Sequence, residues 1–139
     1  MNPLVLLYRL ADRLRYRKHR NLGRHGEDVA HRYLRRHSYT VVARNWRPPQ
    51  GGGEIDLIVW EKGGAKTLVF VEVKTRATGQ WSAPERAIDP LKIQSLHRAA
   101  RDYLRRCGAE PLRVRFDAIS IAGDRLEHLR NVFAFDPSL

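Results

Sequence analysis

Hydrophobic residues first recur along the chain with the period of an α-helix. Within residues 23–37, Ala30, Tyr33 and Leu34 form one apolar stripe, because residues three or four positions apart lie on the same helical face. Most other positions of this segment are charged or polar. The pattern therefore predicts a first helix that packs one face against a core.

Three β-rich runs follow the first helix. The first covers residues 40–47 and is followed by two prolines and a run of glycines, which are typical of a turn. The second and third, residues 54–60 and 67–76, are strongly apolar and are separated by a short connection that contains lysine and two glycines. Such a pair predicts a β-hairpin.

A second helical pattern begins at Asp89. This residue is a good N-cap and is followed by Pro90, which fits the first helical position, while Gly108 marks the end of the helix. An apolar stripe with helical spacing runs along the segment as far as Cys107. We therefore expect the thiol of Cys107 to lie in the core.

The order of these elements predicts the fold class. A further strand covers residues 113–123, and the tail at 128–135 is ambiguous between element types. A helical crossover between two strands of one sheet leaves them parallel, so strands 67–76 and 113–123 should lie parallel in a mixed sheet. We expect an α/β protein with an αβββαβ core, in which helices flank the central sheet.

Length and composition favour one globular domain. The chain has 139 residues, of which 42% are hydrophobic and 29% charged, which excludes a disordered or membrane-embedded chain. A single cysteine excludes a disulfide framework and a multi-cysteine zinc site. The formal net charge of +11 predicts a polyanionic partner, either nucleic acid or an anionic membrane surface.

Most of the positive charge lies near the N-terminus, since residues 1–50 contain 12 Lys and Arg against 3 Asp and Glu. Residues 1–20 form a basic amphipathic extension, which we expect to pack as an extra helix on the single domain of residues 21–139. A membrane-surface anchor and a basic arm on nucleic acid are the alternatives. No apolar stretch reaches the roughly 18 residues of a spanning helix, and no signal-peptide pattern is present, so we expect a cytoplasmic location.

Carboxylates occupy strand positions in runs that are otherwise apolar. Asp56 lies within one strand of the predicted hairpin, and Glu72 and Lys74 lie within the other. Alternate residues of a strand share a face, so Glu54 lies with Asp56 and Glu72 lies with Lys74. If the two strands are paired, an aspartate, a glutamate and a lysine converge. Glu27 adds a fourth group, because its helical spacing places it on the apolar stripe of the first helix.

These buried charges predict a metal site. Burial of an unpaired charge costs several kcal/mol, and oxygen ligands from Asp56 and Glu72 suit Mg²⁺ or Mn²⁺. Lys74 would then hold a nucleophilic water or neutralise the charge that develops on a phosphate. The alternative is an ordinary ion-pair set on a solvated sheet face. We favour the metal site because both acids are flanked by apolar β-branched residues.

Several further side chains are candidates for contact with nucleic acid, although each could equally be a solvated surface residue. The basic candidates are Arg76, Lys92, Arg98, Arg101 and Arg105, the last three of which form a ridge opposite the apolar stripe of the second helix. Trp46 and Trp81 could stack on an unpaired base, but packing is the favoured interpretation for Trp46. Asp117 could be a buried partner of an arginine and receives no catalytic role.

The motifs resemble a known group of nucleases. GEIDLI, a hairpin-length spacer and FVEVKTR are similar to the core of the PD-(D/E)XK superfamily, in which an Asp is followed by Glu-x-Lys on the next strand. The longer set LGRHGEDVAHRYL, NWR, GEIDLIVW, VFVEVKTR and RFDAISI resembles the YraN family, predicted endonuclease-like bacterial proteins related to archaeal Holliday junction resolvases. The resemblance covers roughly residues 21–135 and implies a restriction-endonuclease-like fold.

The resemblance also implies roles for individual residues. Asp56 and Glu72 match the metal ligands, Lys74 matches the catalytic lysine, and Glu27 matches the helix glutamate beside the metal. Apart from the resemblance, the position of Glu54 on the Asp56 face predicts either a supporting acceptor behind these ligands or, equally, a surface residue at the start of the strand. The implied function is Mg²⁺-dependent (or Mn²⁺-dependent) hydrolysis of phosphodiester bonds in DNA, with branched DNA as a candidate substrate and a homodimer as a candidate assembly.

Two other functions compete with the nuclease hypothesis. The first is a catalytically silent nucleic-acid-binding module that keeps the nuclease fold as a scaffold, since filled ligand positions do not prove a productive geometry. The second is a basic protein that binds an acidic protein partner or a membrane surface through residues 1–20.

Overall fold

A computed structural model describes residues 25–63, 65–76, 89–136 and 138. These residues form one five-stranded sheet with the order β1-β2-β3-β4-β5 and two helices. The elements in chain order are α1 (25–36), β1 (Tyr39–Trp46), β2 (Ile55–Glu61), β3 (Thr67–Arg76), α2 (Pro90–Arg106), β4 (Arg113–Ala122) and β5 (Arg125–Phe133). The predicted extension of residues 1–20 lies outside the described part of the chain.

The strand pairing confirms the predicted mixed sheet. β2 and β3 form an antiparallel hairpin, and β1 pairs antiparallel with β2. β3 and β4 are parallel over their full length, from Thr67 opposite Arg113 to Arg76 opposite Ala122, as the crossover through α2 requires. The α/β class and the restriction-endonuclease-like core agree with this topology.

The ambiguous tail forms a fifth strand. β5 pairs antiparallel with β4, and a two-residue turn joins them because Ala122 lies opposite Arg125. The register shifts between Phe116 and Ala118, and Asn131 has a left-handed φ of 56°. Both irregularities break the strict alternation that identifies a strand in a sequence, which explains why the tail was ambiguous.

The sheet is covered by helices on both faces. On one face, Ala30 and Leu34 of α1 pack against strand residues that include Leu57, Val69 and Ile119. A sheet buried on both faces has strands that are apolar almost throughout, which is why β2 and β3 are continuous hydrophobic runs with few polar positions.

The other face is covered by α2. Leu96, Ala100 and Tyr103 pack with Phe70 and Phe116. The Asp89 side chain caps this helix by accepting a hydrogen bond from Leu91 N–H at 2.9 Å, and Pro90 occupies the first turn, as predicted.

The C-terminal end of α2 corrects one expectation. Cys107 was expected in the core, but it is exposed and occupies the C-cap position after Arg106. The last buried residue of the helix is Tyr103, so the apolar stripe leaves the sheet one turn before Cys107. Trp46 is packed as expected, edge-on against Tyr103 with ring centroids 5.5 Å apart, while Trp81 lies outside the described residues.

A buried polar network connects β2, β4 and β5. The Asp117 side chain is fully buried and accepts hydrogen bonds from Arg115 Nε at 2.8 Å and from Asn131 N–H at 3.0 Å. His128 Nε2 lies 2.8 Å from the second oxygen of Asp117, and the Arg115 guanidinium also reaches Glu61 at 2.6 Å. The expectation that Asp117 is a buried partner of an arginine is confirmed.

In the described ranges, no helix combines the length and the apolar character that a membrane crossing requires. The cytoplasmic location of the protein stays a prediction.

Candidate metal centre

The carboxylates gather where the pairing of β2 with β3 stops. The ladder runs from Trp60 opposite Leu68 to Leu57 opposite Val71. Beyond that pair, the Asp56 side chain takes over the role of a backbone partner, because its Oδ2 accepts a hydrogen bond from Val73 N–H at 2.8 Å. This bond fixes the Asp56 carboxylate against β3 at the open end of the hairpin.

Three carboxylates meet at this point. Glu27 comes from the start of the described part of α1, Glu54 precedes β2, and Asp56 lies within β2. One carboxylate oxygen of each lies within 4.8 Å of the others, and all three residues are partly buried. A divalent cation with ligands at about 2.0–2.6 Å can contact oxygens at such separations. The donor set, oxygen throughout, is the one that Mg²⁺ and Mn²⁺ prefer.

Two glycines allow the backbone to bring these carboxylates together. A Cβ atom on Gly26 would collide with the Thr75 hydroxyl of β3, so the start of α1 lies directly on that strand. A Cβ atom on Gly53 would collide with the Ser95 hydroxyl of α2 and lie 3.1 Å from the Ser95 carbonyl oxygen. Gly53 also has a φ of 101°, which disfavours other residues. The loop before Glu54 therefore rests on α2.

Glu72 stands beside this cluster on β3. Its side chain is only 13% exposed, and its Oε1 lies 3.2 Å from Lys92 Nζ. Its Oε2 is buried and accepts no hydrogen bond from any of the described residues. A buried carboxylate oxygen without a partner is costly. The residues therefore fit a cation, which would supply the missing partner of Glu72 Oε2.

Burial and mutual repulsion shift the proton affinity of the carboxylates. Burial, followed by the negative charge of Glu72, holds the pKa of Asp56 well above its ordinary value. Burial also raises the pKa of Glu72, against the opposing effect of Lys92. Burial raises the pKa of Glu27, which the hydrogen bond from Asn45 offsets only in part. A group of acids that resists ionisation is one that a cation would stabilise.

Lys74 lies on the same strand as Glu72 and is half-buried. Burial lowers the pKa of its ammonium group, Glu72 opposes that shift, and the positive charge of Arg76 adds to it. The charge of Lys74 therefore interacts with that of Glu72. Its catalytic role stays a prediction.

The structure changes the expected place of Glu54. Asp56 and Glu72 were expected as the two metal ligands, with Glu54 behind them. The carboxylates of Glu27, Glu54 and Asp56 lie within mutual reach, so Glu54 lies in the same shell as Asp56, and the ligand role of Glu72 stays a prediction. Glu72 borders this shell and acts on the pKa of Asp56.

Sequence reasoning missed the basic residues of β1 and of the segment after it. Arg44 Nη2 lies 2.8 Å from Asp28 and 3.7 Å from Glu27. Arg47 Nη2 lies 2.6 Å from Glu54 Oε2. The motif NWR could have indicated these contacts. It contains Arg47 and also Asn45, whose side-chain amide donates a hydrogen bond to Glu27.

The basic residues predicted to contact nucleic acid occupy different positions in the structure. Lys92 borders the centre because it pairs with Glu72. Arg76 is the last residue of β3, two positions after Lys74. The remaining three lie further along α2, and Arg101 is half-buried instead of standing on an exposed ridge, while Arg105 pairs with Asp102 at 3.6 Å. Arg98 is exposed.

The residues of the candidate metal centre all lie in a region that matches one protein family. Residues 26–121 match the family model described as "Uncharacterised protein family UPF0102". The chain is similar to a UPF0102 protein of Solibacter usitatus (strain Ellin6076), 52% identical over 132 residues that cover 92% of this chain and 98% of the relative. It is also similar to a UPF0102 protein of Geobacter sulfurreducens (strain ATCC 51573 / DSM 12127 / PCA), 41% identical over 117 residues, with 81% and 88% covered. The matched region contains all four carboxylates and Lys74.

Proposed function

This chain belongs to the uncharacterised protein family UPF0102, and from that premise we propose that it is a divalent-metal-dependent nuclease that hydrolyses phosphodiester bonds of DNA. Membership confirms the resemblance to the YraN family. One observation carries the proposal: one carboxylate oxygen each of Glu27, Glu54 and Asp56 lies within 4.8 Å of the others, while Oε2 of Glu72 on β3 is buried and unsatisfied.

The residues of the centre divide into those that hold the metal and those that act on substrate. Glu27, Glu54 and Asp56 would hold Mg²⁺ or Mn²⁺, with Glu72 at its border. When bound, such an ion lowers the pKa of a water and neutralises a phosphate oxygen. Lys74 would orient the attacking water or stabilise the negative charge that develops at phosphorus.

The distribution of charge supports a nucleic-acid substrate. The formal net charge of +11 attracts a polyanion at long range, although four acids are concentrated at one place. In a basic protein, such a concentration would suit a cation that in turn contacts a phosphate. DNA with branches is the first substrate to test, because the resemblance to resolvases implies it, and a homodimer would supply two centres for paired cuts.

The test is a titration of the full chain with Mg²⁺ and Mn²⁺ in the presence of branched, duplex and single-stranded DNA. We expect metal-dependent cleavage by the wild type and rates lower by at least about 100-fold in Glu72→Gln and Lys74→Ala. Glu110→Gln, which changes an exposed carboxylate outside the centre, is the matched control and should retain full activity.

Two outcomes would contradict the proposal. A wild-type protein that neither binds the metal nor cleaves any of the three DNA forms would exclude a metal-dependent nuclease. DNA binding that is equal in all variants, without cleavage, would instead identify a silent nucleic-acid-binding module on a nuclease scaffold.

A further inference from the structure

Lys92 occupies an unusual place for a lysine. It lies in the first turn of α2, two residues after Pro90. The amino end of a helix carries a partial positive charge that favours acidic side chains, and this first turn contains none. The ammonium group instead faces the candidate metal centre, with Nζ 3.2 Å from Glu72 Oε1.

The two partners of this ion pair differ in exposure. The Glu72 side chain is 13% exposed, whereas the Lys92 side chain is 43% exposed. The lysine therefore reaches a buried carboxylate from the solvent side, on a flexible stem that can adopt other rotamers.

From this geometry we propose that Lys92 is an exchangeable counter-ion. It neutralises Glu72 while the centre holds no metal, leaves Glu72 when a divalent cation binds, and then contacts a phosphate of the nucleic acid. The inference rests on the proposed nuclease function and adds a residue that couples metal binding to substrate binding.

The carboxylate of Glu72 explains why the exchange is favourable. Lys92 contacts Oε1, while Oε2 is buried and receives no hydrogen bond from the described part of the chain. A divalent cation carries twice the charge of the ammonium group and repels it at short range. A cation at the border of Glu72 would therefore satisfy the carboxylate better than the lysine does and would drive the lysine outward.

A second ion pair in the same protein, between Arg115 and Asp117, is fully hydrogen-bonded and contrasts with the Lys92–Glu72 pair. Arg115 is 18% exposed and holds Asp117, which is fully buried, through two hydrogen bonds. Both oxygens of Asp117 have partners from Arg115, His128 or the Asn131 backbone. Glu72 lacks such saturation, so its pairing with Lys92 is the one that can be exchanged.

The test measures the affinity of the full chain for Mn²⁺ alone, by titration calorimetry without DNA. Lys92→Met keeps most of the length of the side chain and removes the charge, so we expect Mn²⁺ to bind about tenfold more tightly. Lys92→Arg should weaken binding, because a guanidinium can occupy both oxygens of Glu72. Lys62→Met, at an exposed lysine just after the far end of β2, is the control and should leave the affinity unchanged.

A double-mutant cycle identifies the partner. If Lys92 acts through Glu72, the gain in affinity from Lys92→Met disappears in the Glu72→Gln background. The second half of the exchange is read from DNA binding at saturating Ca²⁺, with the DNA recovered intact. There Lys92→Met should weaken binding and reduce the slope of log Kd against log salt by about one.

Each result distinguishes this inference from the proposed function. A wild type that binds no Mn²⁺ overturns both. A wild type that binds Mn²⁺, together with a Lys92→Met variant of equal or weaker affinity, overturns the exchange and leaves the nuclease proposal standing. A lower melting temperature of Lys92→Met with unchanged metal affinity would show an ordinary structural ion pair and would also overturn the exchange.

Discussion

At the scale of single residues, Asp56 is the most informative side chain. One hydrogen bond from Val73 N–H holds its carboxylate, while burial and the charge of Glu72 hold its pKa well above the ordinary value. The folded state therefore keeps a proton on Asp56 at pH values where the unfolded chain has lost it. Stability that is present at low pH is lost as pH rises towards the pKa of the folded state.

Asp56→Asn should raise the melting temperature of the metal-free protein at about pH 7.5 by a few degrees, because the amide can still accept the Val73 hydrogen bond and carries no charge. The gain should shrink at about pH 4.5, where the wild-type carboxyl is closer to protonated. Thermal melts in a chelator at both pH values measure the difference. An equal or lower melting temperature at neutral pH would contradict this, and Glu110→Gln is the control.

Part of the site can be predicted from the sequence because strand alternation is a local rule. Asp56, Glu72 and Lys74 stood out as charges within apolar runs, and Glu27 stood out on an apolar helical stripe. The partners of these acids could not be predicted in the same way. Arg44 and Arg47 reach Glu27 and Glu54 only after β1, β2 and α1 have packed together, and no short-range pattern reports such a contact.

At the scale of elements, the loop before β2 makes a contact that the local sequence pattern does not predict. Three consecutive glycines could have been a flexible linker, but Gly53 lies on Ser95 of α2, while a Cβ atom added to Gly52 would meet only open space. The surface that Gly53 approaches belongs to a helix far along the chain. The sequence can indicate a turn here, but it cannot identify the neighbour that makes one glycine indispensable.

Gly52→Ala and Gly53→Ala form a matched pair that separates backbone strain from collision. Both positions have a left-handed φ, so each alanine should cost about 1 kcal/mol. Gly53→Ala must in addition displace Ser95, and with it Glu54, so it should lose more stability and should also weaken Mn²⁺ binding. Urea denaturation and metal titration measure both effects. Identical behaviour of the two variants would contradict the close approach.

The network around Asp117 holds strands together instead of binding a ligand. Burial works to raise the pKa of Asp117, but hydrogen bonds from His128, Arg115 and the Asn131 backbone outweigh it and lower the pKa below the ordinary value. Its contribution to stability is therefore complete above the pKa of the unfolded chain, about 3.9, and is lost as pH falls through the lower pKa of the folded state.

Asp117→Asn should destabilise the protein by about 1.5–3 kcal/mol, because it weakens the charged hydrogen bonds from Arg115, which keeps Glu61 as its other partner. Urea denaturation at neutral pH measures the change in the free energy of unfolding. Asp124→Asn, at an exposed position in the turn between β4 and β5, is the control. A loss below about 1 kcal/mol would show that the network is not a structural tie.

At the scale of the whole molecule, the acids of the centre behave as one group. Burial raises the pKa of Glu27, Asp56 and Glu72 alike, and ligands must lose their protons before they hold a cation. Metal binding should therefore release protons and stabilise the entire fold, by about 2.7 kcal/mol when the free cation is at 100 times its Kd.

The affinity for Mn²⁺ should fall at least about tenfold when the pH is lowered from about 7.5 to about 5.5, because protons then compete for the carboxylates. Titration calorimetry in two buffers of different ionisation enthalpy measures both the affinity and the protons released. An affinity independent of pH over this range would mean that the cation binds elsewhere. Glu27→Gln should flatten the dependence relative to the wild type.

The β2–β3 hairpin also has a consequence for the order in which the molecule assembles. The contact of Val73 with Asp56 spans 17 positions, whereas β3 must wait for the entire α2 crossover before it meets β4. Closure of a short loop costs less entropy than closure of a long one, and local pairings form sooner. We therefore expect the hairpin to bring Asp56 against β3 before β3 pairs with β4. Part of the acidic centre should then exist before the sheet that surrounds it is complete.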